Sequence, residues 1–152
     1  MKTIIMLSND GFFAHEDGSL NFGCKEDKIW LRKQIKNKWI LVGYNTFISI
    51  KNYPKLLSLP DRWIVVTTKK VNYTKLNNVM FVKKNDIKNY KIDINFGGIQ
   101  TIKDFKSDRI IVNRMNKKIY IGLKFPKEIF KDYILQEIIT FENYKREIWD
   151  LK

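Results

Sequence analysis

Six short strand-like runs constrain this chain more than any other feature. They are Thr3 to Ser8, Trp39 to Val42, Trp63 to Thr68, Val79 to Val82, Lys91 to Phe96 and Arg109 to Asn113. Most are built from Ile, Val, Leu and Trp without in–out alternation, the pattern of strands buried on both faces. The spacing predicts helices between them, over Lys25 to Lys36, Thr46 to about Ile50 with Asn45 as cap, and Ile99 to Phe105. Strands alternating with short helices imply an α/β domain with a mostly parallel central sheet and flanking helices. From Ile119 the chain turns strand-rich. Ile134 to Phe141 and Arg146 to Leu151 can pair around Glu142-Asn143, giving an antiparallel C-terminal edge.

The 152 residues have the size of one compact domain, 1–152, with no internal repeat, low-complexity tract or linker. Asn9 to Gly23 reads as a long loop, which in a small domain is usually functional. Its Phe12, Phe13, Leu20 and Phe22 can fold it back onto a core. Lys51 to Pro60 is a second loop.

No stretch approaches the ~20 apolar residues that span a bilayer, and the N-terminus meets Ser8, Asn9 and Asp10 too soon for a signal peptide. A cytoplasmic protein is expected. Cys24 is the only cysteine, so no intrachain disulfide forms and a zinc-finger cluster is excluded; it is expected as a packing residue. The single histidine, His15, sits in a polar loop with no nucleophile motif, and a solvated role is expected. No metal site is expected. The net charge of +13 favours an anionic partner. The basic residues are scattered, so a lysine-rich solvated surface is a better account than a nucleic-acid face, which the charge does not exclude.

Asp27 is the anomaly. By the spacing of three and four, Asp27, Trp30, Leu31 and Gln34 share one helix face, with Ile35 beside them. A carboxylate pointing with the apolar residues is costly unless it is hydrogen-bonded or used. Its plain alternative is an acid in a first helical turn that complements the macrodipole.

Two glycine turns follow two apolar strands, Val42-Gly43-Tyr44-Asn45-Thr46 and Phe96-Gly97-Gly98-Ile99, and each leads into a helix. Glycine permits close backbone approach, and the free N–H groups of a helix start bind phosphate. Neither matches G-x-G-x-x-G, and each alone is also just a turn. Thr67-Thr68-Lys69-Lys70 adds hydroxyls and cations at another strand end, a plausible seat for a phosphomonoester. Arg62, between Pro60 and the third strand, is either an exposed cation or a bidentate partner for a carboxylate or phosphate.

In order and spacing these pieces resemble dihydrofolate reductase, within the superfamily that includes the pyrimidine reductase domain of riboflavin biosynthesis. The resemblance covers nearly the whole chain. Ser8-Asn9-Asp10-Gly11-Phe12-Phe13-Ala14 resembles the exit of the first strand into a mobile active-site loop. Glu26-Asp27-Lys28-Ile29-Trp30-Leu31 resembles the acidic helix, and the Gly43 turn the cofactor-phosphate turn. Leu59-Pro60-Asp61-Arg62 resembles the segment supplying the substrate-carboxylate arginine. Phe96-Gly97-Gly98 resembles the glycine pair at the pyrophosphate. Phe125-Pro126 and Tyr144-Lys145-Arg146-Glu147-Ile148 resemble the last loop and last strand. Departures are Asn21-Phe22 for Pro-Trp, Tyr44 and Gln100 for arginines, Ile99 for a third glycine, and Asn113 for the threonine that bonds the active-site carboxylate.

The resemblance implies a three-layer dihydrofolate reductase-like fold and an NADPH-dependent oxidoreductase of one-carbon metabolism that makes tetrahydrofolate from 7,8-dihydrofolate. Asp27 would orient the pterin and promote its protonation. Substrate would meet Ile5, Met6, Asp27, Lys28, Leu31, Ile50, Arg62, Phe96 and Asn113. NADPH would meet Ala14, Leu20, Gly43, Tyr44, Asn45, Thr46, Thr67, Thr68, Lys69, Gly97, Gly98, Ile99 and Gln100. The protein would act as a monomer or homodimer on a small molecule. Two alternatives stand beside this: a pyrimidine reductase of riboflavin biosynthesis, or an inactive reductase-like fold serving as a basic binding or structural protein.

Overall fold

The apolar runs become the middle of one sheet, flanked by helices. The computed structural model describes residues 1–20, 22–51, 61–67 and 77–152. In chain order the elements are β1 (Lys2–Leu7), β2 (Phe12–Ala14), α1 (Lys25–Ile35), β3 (Trp39–Gly43), α2 (Tyr44–Ile50), β4 (Arg62–Thr67), β5 (Val79–Lys83), β6 (Ile94–Asn95), α3 (Ile99–Asp104), β7 (Arg109–Met115), β8 (Leu123–Lys124), β9 (Tyr133–Thr140) and β10 (Tyr144–Leu151). Short 3₁₀ segments cover Lys84–Asn89 and Lys127–Asp132.

Among the described residues the main sheet has eight strands in the order β5-β4-β3-β6-β1-β7-β10-β9. Pairing is parallel from β5 through β7. β10 runs against its neighbours β7 and β9. The α/β architecture with a mostly parallel sheet and an antiparallel C-terminal addition is therefore as the sequence pattern implies.

Strand alternation divides the core into layers. On one face Ile4, Ile40, Val42, Trp63, Val65, Ile94 and Ile111 pack under α1 and α2, against Trp30, Leu31, Ile35, Phe47 and Ile50. On the other face Leu41, Ile64, Val82 and Ile87 form one cluster, and Leu7, Ile102, Ile110, Val112, Phe125 and Tyr133 another.

Four expectations change. The Asn9 to Gly23 loop contains β2, which pairs with β8, so part of it is tied down by a small second sheet. Asn45 does not cap α2. Gly43 ends β3 in an extended conformation and is itself the N-cap, so the helix begins at Tyr44. The fifth strand is regular only over Ile94–Asn95; just before it the Asp93 carboxylate accepts the Trp39 N–H at 2.9 Å. His15 is only partly exposed; its ring lies edge-on to Phe22 at 5.5 Å, and its Nε2 is buried without a partner among the described residues. No helix among the described residues is long and apolar enough to cross a membrane.

Candidate active site

The site is assembled by register. In the parallel pair of β1 and β7, Met6 stands beside Asn113; in the antiparallel pair of β7 and β10, Arg146 stands opposite Asn113. Side chains directly across such pairs project to the same face. Asn113 shares the parity of Ile111, so it projects toward α1. There it meets Asp27, in the first turn of the helix and only 6% exposed.

Asn113 Nδ2 donates to Asp27 Oδ1 at 2.5 Å. Arg146 Nε donates to Asn113 Oδ1 at 3.0 Å. A guanidinium only donates, so the amide oxygen must face Arg146 and the NH₂ must face the carboxylate. Arg146 is in turn held among rings. Its guanidinium carbon lies 3.8 Å from the Trp30 ring centroid, 5.0 Å from Phe141 and 5.7 Å from Tyr144, and its Nη2 donates to the Tyr144 hydroxyl at 3.1 Å. Cation–π contact of this kind favours a planar guanidinium.

Burial pushes the Asp27 carboxyl above the usual carboxylate range, while the Asn113 hydrogen bond and the Arg146 and Lys28 charges oppose the rise. The result is a carboxyl that can exchange a proton nearer to neutrality than a solvated one. Its second oxygen looks elsewhere. A Cβ on Gly23 would lie 2.9 Å from Met6 Sδ and 4.0 Å from Asp27 Oδ2, so strand, turn and carboxylate meet there without room for a side chain.

The two glycine turns also meet. They follow neighbouring strands β3 and β6, and Gly43 N–H donates to the Gly97 carbonyl at 2.6 Å. A Cβ on Gly43 would come 2.6 Å from Thr101 Oγ1, and one on Gly98 would come 2.9 Å from Thr46 Oγ1. The glycines thus let the turns touch. Gly97 has φ +90°, which L side chains rarely adopt, and the Gly97–Gly98 peptide is cis. Tyr44, Asn45 and Thr46 open α2, and Ile99 and Gln100 open α3, side by side. Thr67 is buried at the end of β4; Thr68 and Lys69 lie outside the described residues.

Leu31, Ile50 and Phe96 share the α1-side cluster with Trp30, and Lys28 is exposed next to Asp27 on α1. Ile5 packs in the cluster on the opposite face, so only its backbone can face this site. Arg62 is not brought to Asp27. It is the first residue of β4, in the parity of Ile64 rather than Trp63, and its guanidinium lies over Trp39 at 5.2 Å, on the face away from α1. Ala14 is buried in β2, and Leu20 is exposed. Two open hollows, of about 410 and 530 Å³, lie by Ile87 and Tyr90 and by the His15 turn, away from Asp27. The chemistry of the site points to Asp27, not to these.

Two functional residues carry little signal in the sequence. Arg146 stands in a strand whose partner only the register decides. Asn95 stands inside an apolar run. Its Nδ2 donates to the carbonyls of Thr101 and Phe105, and its Oδ1 accepts the Gly97 N–H at 2.9 Å, so it ties the glycine turn to α3. A polar residue ending a strand that is otherwise buried was its one signal.

No protein-family model matches the chain. No curated protein matches it. Solved structures do. Dihydrofolate reductase from Enterococcus faecalis, complexed with NADP(H) and RAB-propyl, superposes with a TM-score of 0.78 at 16% identity, covering 99% of this chain and 95% of that one. A protein assigned to riboflavin biosynthesis, from Shewanella sp. PV-4, gives 0.73 at 15% identity, covering 99% and 98%. The chain therefore has the dihydrofolate reductase fold.

Proposed function

We propose that this chain is an NADPH-dependent reductase that converts 7,8-dihydrofolate to tetrahydrofolate. The observation that carries the reading is Asp27: a carboxyl nine-tenths buried, raised by burial, and held by an amide of fixed orientation. A structural acid placed only to complement a helix dipole needs neither burial nor such a partner. The fold is shared with a dihydrofolate reductase solved with NADP(H).

The residues of the joined turns fit a pyrophosphate. Two helix starts lie together, their first N–H groups have no partner within the helix, and the Thr46 hydroxyl stands beside Gly98. NADPH bound there supplies the hydride. Asp27 holds the amino-pyrimidine edge of the pterin by paired hydrogen bonds and promotes protonation of the nitrogen beside the accepting carbon, through water. Leu31 and Phe96, both partly exposed, supply apolar surface to the ring system, with Ile50 packed beneath them. Residues 9–20, with Ala14 and Leu20 among them, cover the nicotinamide side. With Arg62 turned away, Lys28 is an exposed cation next to Asp27 on α1.

A second reading has its own support in the likeness to the riboflavin biosynthesis protein. On that reading this chain acts on a ribosylamino-pyrimidine phosphate. NADPH oxidation measured in parallel with dihydrofolate and with that pyrimidine separates the two. Turnover with dihydrofolate and inhibition by methotrexate support the first reading. Turnover with the pyrimidine alone supports the second. Neither turnover nor an NADPH-induced rise in Tm, together with salt-sensitive nucleic-acid binding, would leave a basic binding protein on a reductase fold.

A further inference from the structure

Asp27 and Asn113 suffice for the chemistry above, yet an arginine is built in behind them. Its described hydrogen bonds go to neutral oxygens, Asn113 Oδ1 and the Tyr144 hydroxyl, and three rings surround it. A carboxamide has two orientations that differ by a half-turn. With its NH₂ toward Asp27, Asn113 favours the ionised carboxylate. Flipped, its carbonyl would accept a proton from the neutral acid and favour that form instead. The flip would also set the NH₂ against the guanidinium, donor against donor.

We propose that Arg146 is a positioning residue: caged by Trp30, Phe141 and Tyr144, its Nε–H pins the Asn113 carbonyl, so that Asp27 Oδ1 always accepts and any proton on Asp27 resides on Oδ2, beside Met6 and Gly23. The use of that proton rests on the reductase reading; the pinning is a property of the free protein. The charged and titratable groups around Asp27 are few. Lys28 lies on its own helix, and Arg146 and Tyr144 come from β10. Cys24 and Glu26 flank it in the chain. Burial raises both the Cys24 thiol and the Tyr144 hydroxyl, so both are neutral near pH 7. Glu26 is exposed and turns toward Asn143. β7 contributes the uncharged Asn113, and β1 contributes Met6.

The test is an NMR titration of the free protein, following the Asp27 carboxyl carbon and the Asn113 side-chain amide. In Arg146→Leu the Asp27 midpoint is expected to rise, and the Asn113 amide to lose its downfield, exchange-protected proton. Arg146→Lys keeps the charge but not the fork, and is expected to follow Arg146→Leu in the amide signal; it serves also if the leucine variant does not fold. In an Asn113→Ala background, Arg146→Leu is expected to move the midpoint less than in the wild type, because the path through the amide is gone. An unchanged midpoint and amide in Arg146→Leu would overturn the proposal. So would an equal shift in both backgrounds, which is charge acting alone. Absence of reductase turnover would leave this titration standing, so the two readings fail separately.

Discussion

Asn113 and Asp27, 86 residues apart in the chain, share a hydrogen bond of 2.5 Å inside the molecule. It brings β7, the sixth of the eight strands in sheet order, to the first turn of α1. It also makes the anomaly of that helix intelligible, because a buried carboxylate without such a partner would be strongly destabilising.

The same burial predicts a pH dependence of stability. The folded-state pKa of Asp27 lies above the unfolded value near 3.8. The favourable contribution of its proton is therefore fully present below that value and lost as pH rises through the folded pKa. Asp27→Asn removes this loss. Urea unfolding of wild type and variant between about pH 4 and 8 is expected to show the variant gaining relative stability as pH rises. A constant difference would mean that Asp27 titrates alike in both states.

Gly43→Ala is expected to cost about 1–3 kcal/mol of stability and to weaken NADPH binding. The backbone at Gly43 is ordinary, with φ −72°, so the cost is not conformational. It is steric, since the new Cβ meets buried Thr101 Oγ1 at 2.6 Å. Adding Thr101→Ala should recover most of the stability, as read by Tm. Failure to recover it would place the clash on the Gly98 backbone instead.

Asp10 holds the first loop to the segment before β8. It accepts from the Ser8 hydroxyl at 2.6 Å, from Ile119 N–H at 3.2 Å and from Tyr120 N–H at 2.9 Å. Asp10→Asn replaces one acceptor oxygen by a donor. Hydrogen exchange of the Ile119 and Tyr120 amides is expected to quicken at least about tenfold, the equivalent of one modest hydrogen bond, with the β1 and β7 amides unchanged. Unaltered exchange at both amides would show that the backbone bonds, Asn9 N–H to the Lys117 carbonyl and the β2–β8 pairing, hold the loop without Asp10.

Asp27 was legible in the sequence because helical spacing alone puts it beside Trp30 and Leu31. The sheet was legible because buried parallel strands leave apolar runs. Arg146 was not, since its partner is fixed by antiparallel register between β7 and β10, 33 residues apart. Arg62 shows the same sensitivity. Strand side chains alternate, so its place in the parity of Ile64 sends it to Trp39 and away from α1. The neighbouring Asp61 is instead the buried partner, tying β4 to Arg32 of α1. Asn45 has the residue type of a cap, but β3 runs straight through Gly43 into the helix and leaves it inside the first turn.

In the proposed reaction Asp27 manages a proton for hydride transfer to a pterin. The decisive measurement is the rate of NADPH oxidation with dihydrofolate at neutral pH, for wild type and Asp27→Asn, each checked for fold by circular dichroism. Dihydrofolate-dependent turnover is expected in the wild type, and in the variant a fall in kcat of about 10²-fold or more, the scale of one lost acid–base group. Equal rates in the two proteins, or no dihydrofolate-dependent oxidation in the wild type, would contradict it.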